Sequence, residues 1–234
     1  MLLRIRADLS AAIEAPNIDA EDIKAVLGDL NRAEIGNLSQ INEALAELRH
    51  ANRLNYALRD ITSRIYIGAK QQNQPFRLSD DVSVNISPVS EADALYLSSG
   101  TIHLDEVKNT ANALRGKLEQ TPDQLRNMVR WREAASDGGP PREVGVHIET
   151  TERWTDINRP LAGYPRGSYT LQELISQRIP LQIGPYRLSV EKMIELRDAI
   201  LSKARELGEF PPNDAFFARI RTLEDAERVL EIDL

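Results

Sequence analysis

The spacing of the apolar residues changes once along this chain, and that change limits the folds it can adopt. Between residues 41 and 65, apolar side chains recur every three or four positions, which predicts one long helix of about seven turns. From residue 82 onward the spacing shortens to two, as expected for strands with one buried face. The chain therefore predicts a mixed α/β (α+β) fold rather than an all-helical one.

The order of the central elements follows from the turn and cap residues between them. Ser98, Ser99 and Gly100 predict a hairpin turn between two β-rich runs, and Thr121 to Gln124 predict the start of a second helix. The predicted strands cover residues 82–86, 94–97, 101–107 and 144–148. The resulting order is helix, three strands, helix, strand, which is an αβββαβ core with a mixed sheet.

Both ends of the chain read as additions to this core. A short helical pattern begins at Asp19, and Asn37 offers a cap for the long helix. After a loop rich in Gly and Pro, the C-terminal part predicts a helix capped at Thr170, a pair of short strands in IPLQIGPYRLS, and helices near 190–207 and 223–230. We therefore predict a helical segment at 1–37, a core at 38–188 and a helical extension at 189–234.

Composition limits the chemistry. The chain has no cysteine and three histidines, which excludes a disulfide scaffold and any thiolate zinc site, so a metal here should be a hard cation held by carboxylates. The net charge is −7, but residues 41–200 hold 20 basic and 21 acidic side chains. A solvated helix face is the favoured interpretation of the arginines at 126, 130 and 132. No apolar run or leader pattern predicts a membrane span or export signal, so we expect a soluble protein.

Three charged residues fall on the predicted hairpin where phosphodiester chemistry would need them. Asp93 opens one strand, while Glu106 and Lys108 lie two apart on its partner and should share a face. Paired carboxylates can hold Mg²⁺ (or Mn²⁺) ions that polarise a phosphate and lower the pKa of an attacking water. The lysine can position that water or neutralise charge in the transition state.

These residues and their element order resemble the PD-(D/E)xK, or restriction-endonuclease-like, nucleases. The stretch ADALYLSSGTIHLDEVKNT, followed by QLRNMVRWREAASDGG and VGVHIET, resembles the DNase domains of bacterial polymorphic toxins. The resemblance implies catalytic roles for Asp93, Glu106 and Lys108, metal ligation by Asp93 and Glu106 with the Val107 carbonyl as a candidate third ligand, and a substrate contact from Gln124. Ala92 replaces the name-giving proline, and the family's first-helix glutamate has only Glu43 or Glu47 as candidates.

The resemblance also implies a substrate, a partner and a place of action. It implies a DNA substrate, a cognate immunity protein, and action in a bacterial cytoplasm after delivery from another cell. Two alternatives stay open from the residues alone: a helical adaptor or phage-type assembly protein without catalysis, and a nuclease of repair or restriction. These residues do not decide whether the substrate is DNA or RNA.

The remaining aromatic and imidazole side chains have simpler interpretations. We expect His103 and His147 to be packing or surface residues of strands, and His50 to lie on the surface of the long helix. Trp131 and Trp154 should fill the core or its rim rather than stack on bases.

Overall fold

A computed structural model describes residues 2–19, 22–24, 26–28, 38–58, 63–135, 138–158 and 170–234. The helices are α1 (Leu2–Ile13), α2 (Leu38–Ala57), α3 (Ala111–Gln120), α4 (Gln124–Glu133), a 3-10 helix (Trp154–Ile157), α5 (Thr170–Ser176), α6 (Val190–Glu206), α7 (Asp214–Phe217) and α8 (Leu223–Leu230). The strands are β1 (Tyr66–Lys70), β2 (Phe76–Arg77), β3 (Ser83–Val84), β4 (Glu91–Ser98), β5 (Thr101–Lys108), β6 (Arg142–Ile148), β7 (Leu181–Ile183) and β8 (Tyr186–Leu188).

Six of the strands form one mixed sheet in the order β1-β4-β5-β6-β7-β8. The β1–β4, β4–β5 and β7–β8 pairs are antiparallel, and the β6–β7 pair is parallel. Strands β2 and β3 form a separate two-stranded sheet. The predicted mixed α/β class is confirmed at this level.

The chain divides into two compact units. The first comprises residues 1–107 and 126–145, and the second comprises residues 108–125 and 146–234. In the first unit, α1 and α2 pack together around a buried apolar cluster that also includes residues of β1 and β4. The packing is fixed by Asp8, whose carboxylate accepts from Arg49 Nε (2.8 Å) and whose carbonyl accepts from the Asn52 amide (2.8 Å).

The second unit is built around the helices that follow Trp154. The Trp154 indole is completely buried and donates to the Ile220 carbonyl (3.0 Å), which ties the 3-10 helix to the segment before α8. Ser189 caps α6 by accepting from Lys192 N, and Thr222 forms a capping box with Asp225 at the start of α8. The predicted helices near 190–207 and 223–230 and the predicted short strands before them are confirmed.

Both tryptophans lie in the core, as predicted. Trp131 is completely buried in the first unit, donates from its indole to the Asn85 carbonyl (2.7 Å), and has the Arg142 guanidinium 5.0 Å from its ring centroid. A buried indole needs such a partner, because an unpaired N–H in the core costs free energy.

The long helix was predicted to extend too far. It ends at Ala57, and Ile65, which continues its apolar spacing, instead forms a parallel bridge with Ile18. The next residues, YIGAK, form β1, an edge strand of the main sheet that was not predicted. Pairing with β4 decides the structure here, because a bonded sheet partner outweighs a weak local preference.

Two further differences concern the predicted core. The alternating stretch at 82–86 contributes only the two-residue β3, which pairs with β2 and not with the main sheet. Helix α3 was not predicted, although Thr110 caps it by accepting from Ala113 N (3.1 Å). The predicted cap at Asn37 and the apolar position Ile61 lie outside the described residues.

None of the described helices is long and apolar enough to cross a membrane.

Asp22 provides a test of the fold through pH. Burial raises the pKa of Asp22 from 3.8 to about 6, although a hydrogen bond from the Ile67 N–H (3.3 Å) acts in the opposite direction. A raised folded-state pKa means that the native state holds the proton more tightly than the unfolded chain. This contribution to stability is therefore complete below pH 3.8 and is lost as the pH rises through about 6.

We predict that Asp22→Asn removes this loss, because asparagine stays neutral at every pH. For a fully buried group, a shift of two pKa units changes the free energy of unfolding by about 3 kcal/mol. Asp22 is partly exposed to solvent, so the expected gain in the free energy of unfolding at pH 7.5 is about 1 kcal/mol. Urea unfolding of both proteins at pH 3.5 and 7.5 measures this difference. The gain should vanish at pH 3.5 and be absent from the exposed control Asp81→Asn; an equal gain at both pH values would contradict the assignment.

Candidate active site

The hairpin of β4 and β5 carries the first two predicted catalytic residues. Its two-residue turn uses Ser99 (φ 49°) and Gly100 (φ 78°), the positive φ angles that a tight hairpin turn requires. The paired residues run from Ser98↔Thr101 to Ala94↔Asp105. Asp93 and Glu106 lie directly beyond this last pair on the two strands, at the end of the hairpin away from the turn.

The Asp93 carboxylate lies against the backbone of the partner strand. Its side chain is 7% exposed, and its Oδ2 accepts a hydrogen bond from the Val107 N–H (2.7 Å). In an uninterrupted antiparallel pair, alternate backbone N–H groups of β5 would bond to carbonyls of β4. Here the Val107 N–H donates to the Asp93 carboxylate instead, at the end of the hairpin away from the turn.

The strand on the other side of β4 has a glycine at the corresponding position. The pairs Ile67↔Ala94 and Ala69↔Ala92 leave Gly68 opposite Asp93. Gly68 has φ +60°, and a Cβ built on it would meet no described atom within 4 Å. The absence of a side chain at this position leaves open space beside the backbone of Asp93.

Glu106 is almost completely buried, with 1% of its surface exposed. Carboxylates and lysines are almost never this buried unless they are paired or bind a metal. A buried glutamate and a buried aspartate at the same end of the hairpin therefore have the composition of a cation site, because carboxylate and carbonyl oxygens are the ligands that Mg²⁺ prefers. Val107, the candidate source of that carbonyl, is also completely buried.

Lys108 is the last residue of β5 and the first of the second unit. It is buried, and its carbonyl accepts from the Glu149 N–H (2.9 Å), which continues the backbone pairing of the second unit. Strand alternation gives positions 106 and 108 the same face of β5.

Gln124 begins α4 and lies in the second unit. Its side chain is buried, and its N–H donates to the Thr121 carbonyl (3.0 Å), so the predicted capping segment does precede this helix. The substrate contact that the resemblance implies for Gln124 stays a prediction. So does the role of a first-helix glutamate, for which the candidates Glu43 and Glu47 are both half-buried on α2.

A second buried polar pair lies one residue away on β5. Asp105 alternates with Glu106 and so occupies the opposite face of the strand, where its Oδ2 is 3.0 Å from Nε2 of His50 on α2. His50 is 3% exposed, so its expected position on the helix surface was wrong. Ala46 lies one helical turn before His50 and is completely buried. Its apolar side chain was the sequence signal that this face of α2 points inward.

His103 behaves as expected for a strand residue near the surface. Its ring stacks on Tyr96 with centroids 4.9 Å apart, and its Nδ1 lies 3.6 Å from the Glu143 carboxylate. His147 is a half-buried residue of β6, paired with Gln182 of β7.

Comparison of this chain with protein-family models, curated proteins and solved structures found no match.

Proposed function

We propose that this protein is a Mg²⁺-dependent nuclease that hydrolyses DNA phosphodiester bonds, with a restriction-endonuclease-like core. The observation that carries the proposal is that two buried carboxylates, Asp93 and Glu106, lie at the same end of the β4–β5 hairpin, where Asp93 accepts a hydrogen bond from Val107, the residue after Glu106. The order of α2, three antiparallel strands, two helices and β6 supports the same core.

The residues divide the chemistry between them. Asp93, Glu106 and the Val107 carbonyl would hold Mg²⁺, which polarises the phosphate and lowers the pKa of the attacking water. The buried lysine Lys108 would position that water or neutralise the charge that develops on the phosphate as one P–O ester bond breaks. Gln124 would contact the substrate at the start of α4, and Gly68 leaves the space beside Asp93 that a ligand needs.

The biological setting of the proposal rests on the resemblance of the hairpin and following helix to toxin DNase domains. In that setting the chain is an antibacterial effector that acts in a bacterial cytoplasm, and its producer makes an immunity protein. The exposed arginines 126 and 130 lie one turn apart on α4 and could approach a phosphate backbone, which would offset part of the acidic net charge.

Asp93→Asn tests the proposal directly. The parent chain should cleave supercoiled plasmid with Mg²⁺ or Mn²⁺ and should not cleave it with EDTA. Asn keeps the shape of the side chain and its acceptor toward Val107 but loses the charge that binds the cation, so cleavage should fall about 10²-fold or more. Calorimetric titration with Mn²⁺ should show weaker binding.

The exposed variant Asp81→Asn is the matched control and should cleave as the parent does. A helical adaptor would show neither cleavage nor carboxylate-dependent Mn²⁺ binding. A parent chain that binds no Mn²⁺ would therefore rule out the proposed nuclease and favour that alternative.

A further inference from the structure

Glu106, the buried glutamate of the proposed metal site, lies between two residues that are each held by a side-chain contact. The residue before it, Asp105, is bonded through its carboxylate to His50 on α2. The residue after it, Val107, donates its N–H to the Asp93 carboxylate on β4 (2.7 Å). Both neighbours of Glu106 are therefore tied to another element of the first unit.

These contacts lie where the backbone pairing of the hairpin stops. The last pair between β4 and β5 is Ala94↔Asp105, directly before Glu106. Paired strands hold each other in register through their backbone hydrogen bonds. Beyond this pair, the side-chain contacts at positions 105 and 107 hold β5 in their place.

The contact between His50 and Asp105 is rigid because it is buried. Nε2 of His50 is 3.0 Å from Oδ2 of Asp105, and the two residues are 3% and 2% exposed. In the core a polar contact is stronger than at the surface, and water does not compete for its partners. The contact therefore fixes α2 against β5 at the residue that precedes Glu106.

The helix that carries His50 is itself held in place. Arg49 and Asn52, which flank His50 on α2, both donate to Asp8 of α1 (2.8 Å each). Leu48 of the same helix is completely buried in the apolar cluster of the first unit. Helix α2 is thus a fixed support for the end of β5.

We propose that His50 and Asp105 are positioning residues of the proposed nuclease, because their contact fixes the end of β5 and with it the Glu106 carboxylate. This inference rests on the proposed function. Asp105 does not bind the cation itself, since it lies on the face of β5 opposite to Glu106. A displacement of about 1 Å in an active site can cost about 10²-fold in rate, so loss of the contact should reduce catalysis in a protein that is still folded.

Asp105→Leu tests this role, because leucine fills the space of the aspartate and cannot bond His50. Plasmid cleavage with Mg²⁺ at increasing DNA concentration should give a kcat about 30-fold lower and a KM within about twofold of the parent. Calorimetric titration should show Mn²⁺ binding weakened about fivefold or more. Asp105→Asn keeps a hydrogen-bond partner for His50 and should retain kcat and Mn²⁺ affinity to within about threefold.

Leu48→Ala is the matched control for stability. It removes buried volume from α2 and should destabilise the protein comparably, but it leaves the side chains of His50 and Asp105 unchanged. Urea unfolding measures the stability of each variant, and cleavage is compared under conditions in which every variant is folded. Leu48→Ala should then cleave within about threefold of the parent.

The proposal fails if Asp105→Leu cleaves DNA and binds Mn²⁺ as the parent does, if Leu48→Ala loses as much activity, or if Asp105→Asn is equally impaired. In each of these cases the proposed function stands, because the parent is active. A parent chain that neither binds Mn²⁺ nor cleaves DNA would overturn both. If Asp105→Leu does not fold, His50→Phe decides the matter, because phenylalanine fills the space of the imidazole and cannot bond Asp105.

Discussion

Glu106→Gln should reduce Mg²⁺-dependent DNA cleavage by about 10³-fold while the protein stays folded. The substitution preserves the shape of the side chain and removes its negative charge, and electrostatic groups of this kind contribute factors of about 10² to 10³ each to such reactions. Because Glu106 is nearly completely buried, the neutral amide should not lower the free energy of unfolding by more than about 1 kcal/mol. Plasmid cleavage rates and urea unfolding measure the two quantities.

The matched control for this variant is Glu143→Gln on β6, an exposed glutamate of the same sheet. It should cleave within about twofold of the parent. Lys108→Met should lose activity to a similar extent as Glu106→Gln while it still binds Mn²⁺, because a lysine is not a metal ligand. If Glu106→Gln and Lys108→Met both cut DNA as the parent does, the nuclease assignment is wrong.

Breaking the His50–Asp105 pair should produce the largest loss of stability. Both side chains are buried and their Nε2 and Oδ2 atoms are 3.0 Å apart, so the pair joins α2 to β5 through the core. Removal of one partner of a buried charged or hydrogen-bonded pair costs about 3 to 5 kcal/mol. We therefore expect His50→Leu and Asp105→Leu each to lower the free energy of unfolding by that amount in urea denaturation.

The double variant distinguishes a specific pair from two separate packing defects. If the two groups stabilise each other, His50→Leu/Asp105→Leu should lose less than the sum of the single losses, by about 1 to 3 kcal/mol. Additive losses would mean that the contact itself contributes little. His103→Leu on the same strand, whose ring is nearer the surface, is the control and should cost about 1 kcal/mol or less.

The sequence predicts the parts of this fold that depend on local signals. The SSG turn predicted the β4–β5 hairpin, and from the hairpin alone we predicted that Asp93 lies beside Glu106 and Lys108; the observed pairing ends one residue short of Asp93 and Glu106. The two C-terminal helices were predicted near 190–207 and 223–230 and are observed at Val190–Glu206 and Leu223–Leu230, each with a side-chain cap at its first turn. Turn and cap residues specify the backbone conformation at their own position, so the local sequence is enough to predict turns and helix ends.

Pairing between distant segments could not be predicted in the same way. Strand β1 follows a helix whose apolar spacing continues into Ile65, and only its partner β4 makes it a strand. The alternation at 82–86 indicated a buried face but not which sheet would receive it. His50 bonds in the core to Asp105, 55 residues away, and helical spacing carries no information about such a partner.

The turn at Ser99 and Gly100 has a consequence for evolution as well as for folding. Strand residues advance about 3.3 Å each, so the turn lies roughly 20 Å from Asp93 and Glu106, yet it alone decides which residues of the two strands stand side by side. An inserted or deleted residue there would turn every later side chain of β5 to the other side of the sheet. A deletion would shift Glu106 to the position now held by Asp105, which faces His50, and an insertion would shift Asp105 to the position now held by Glu106. One small change far from both acids would therefore alter their surroundings.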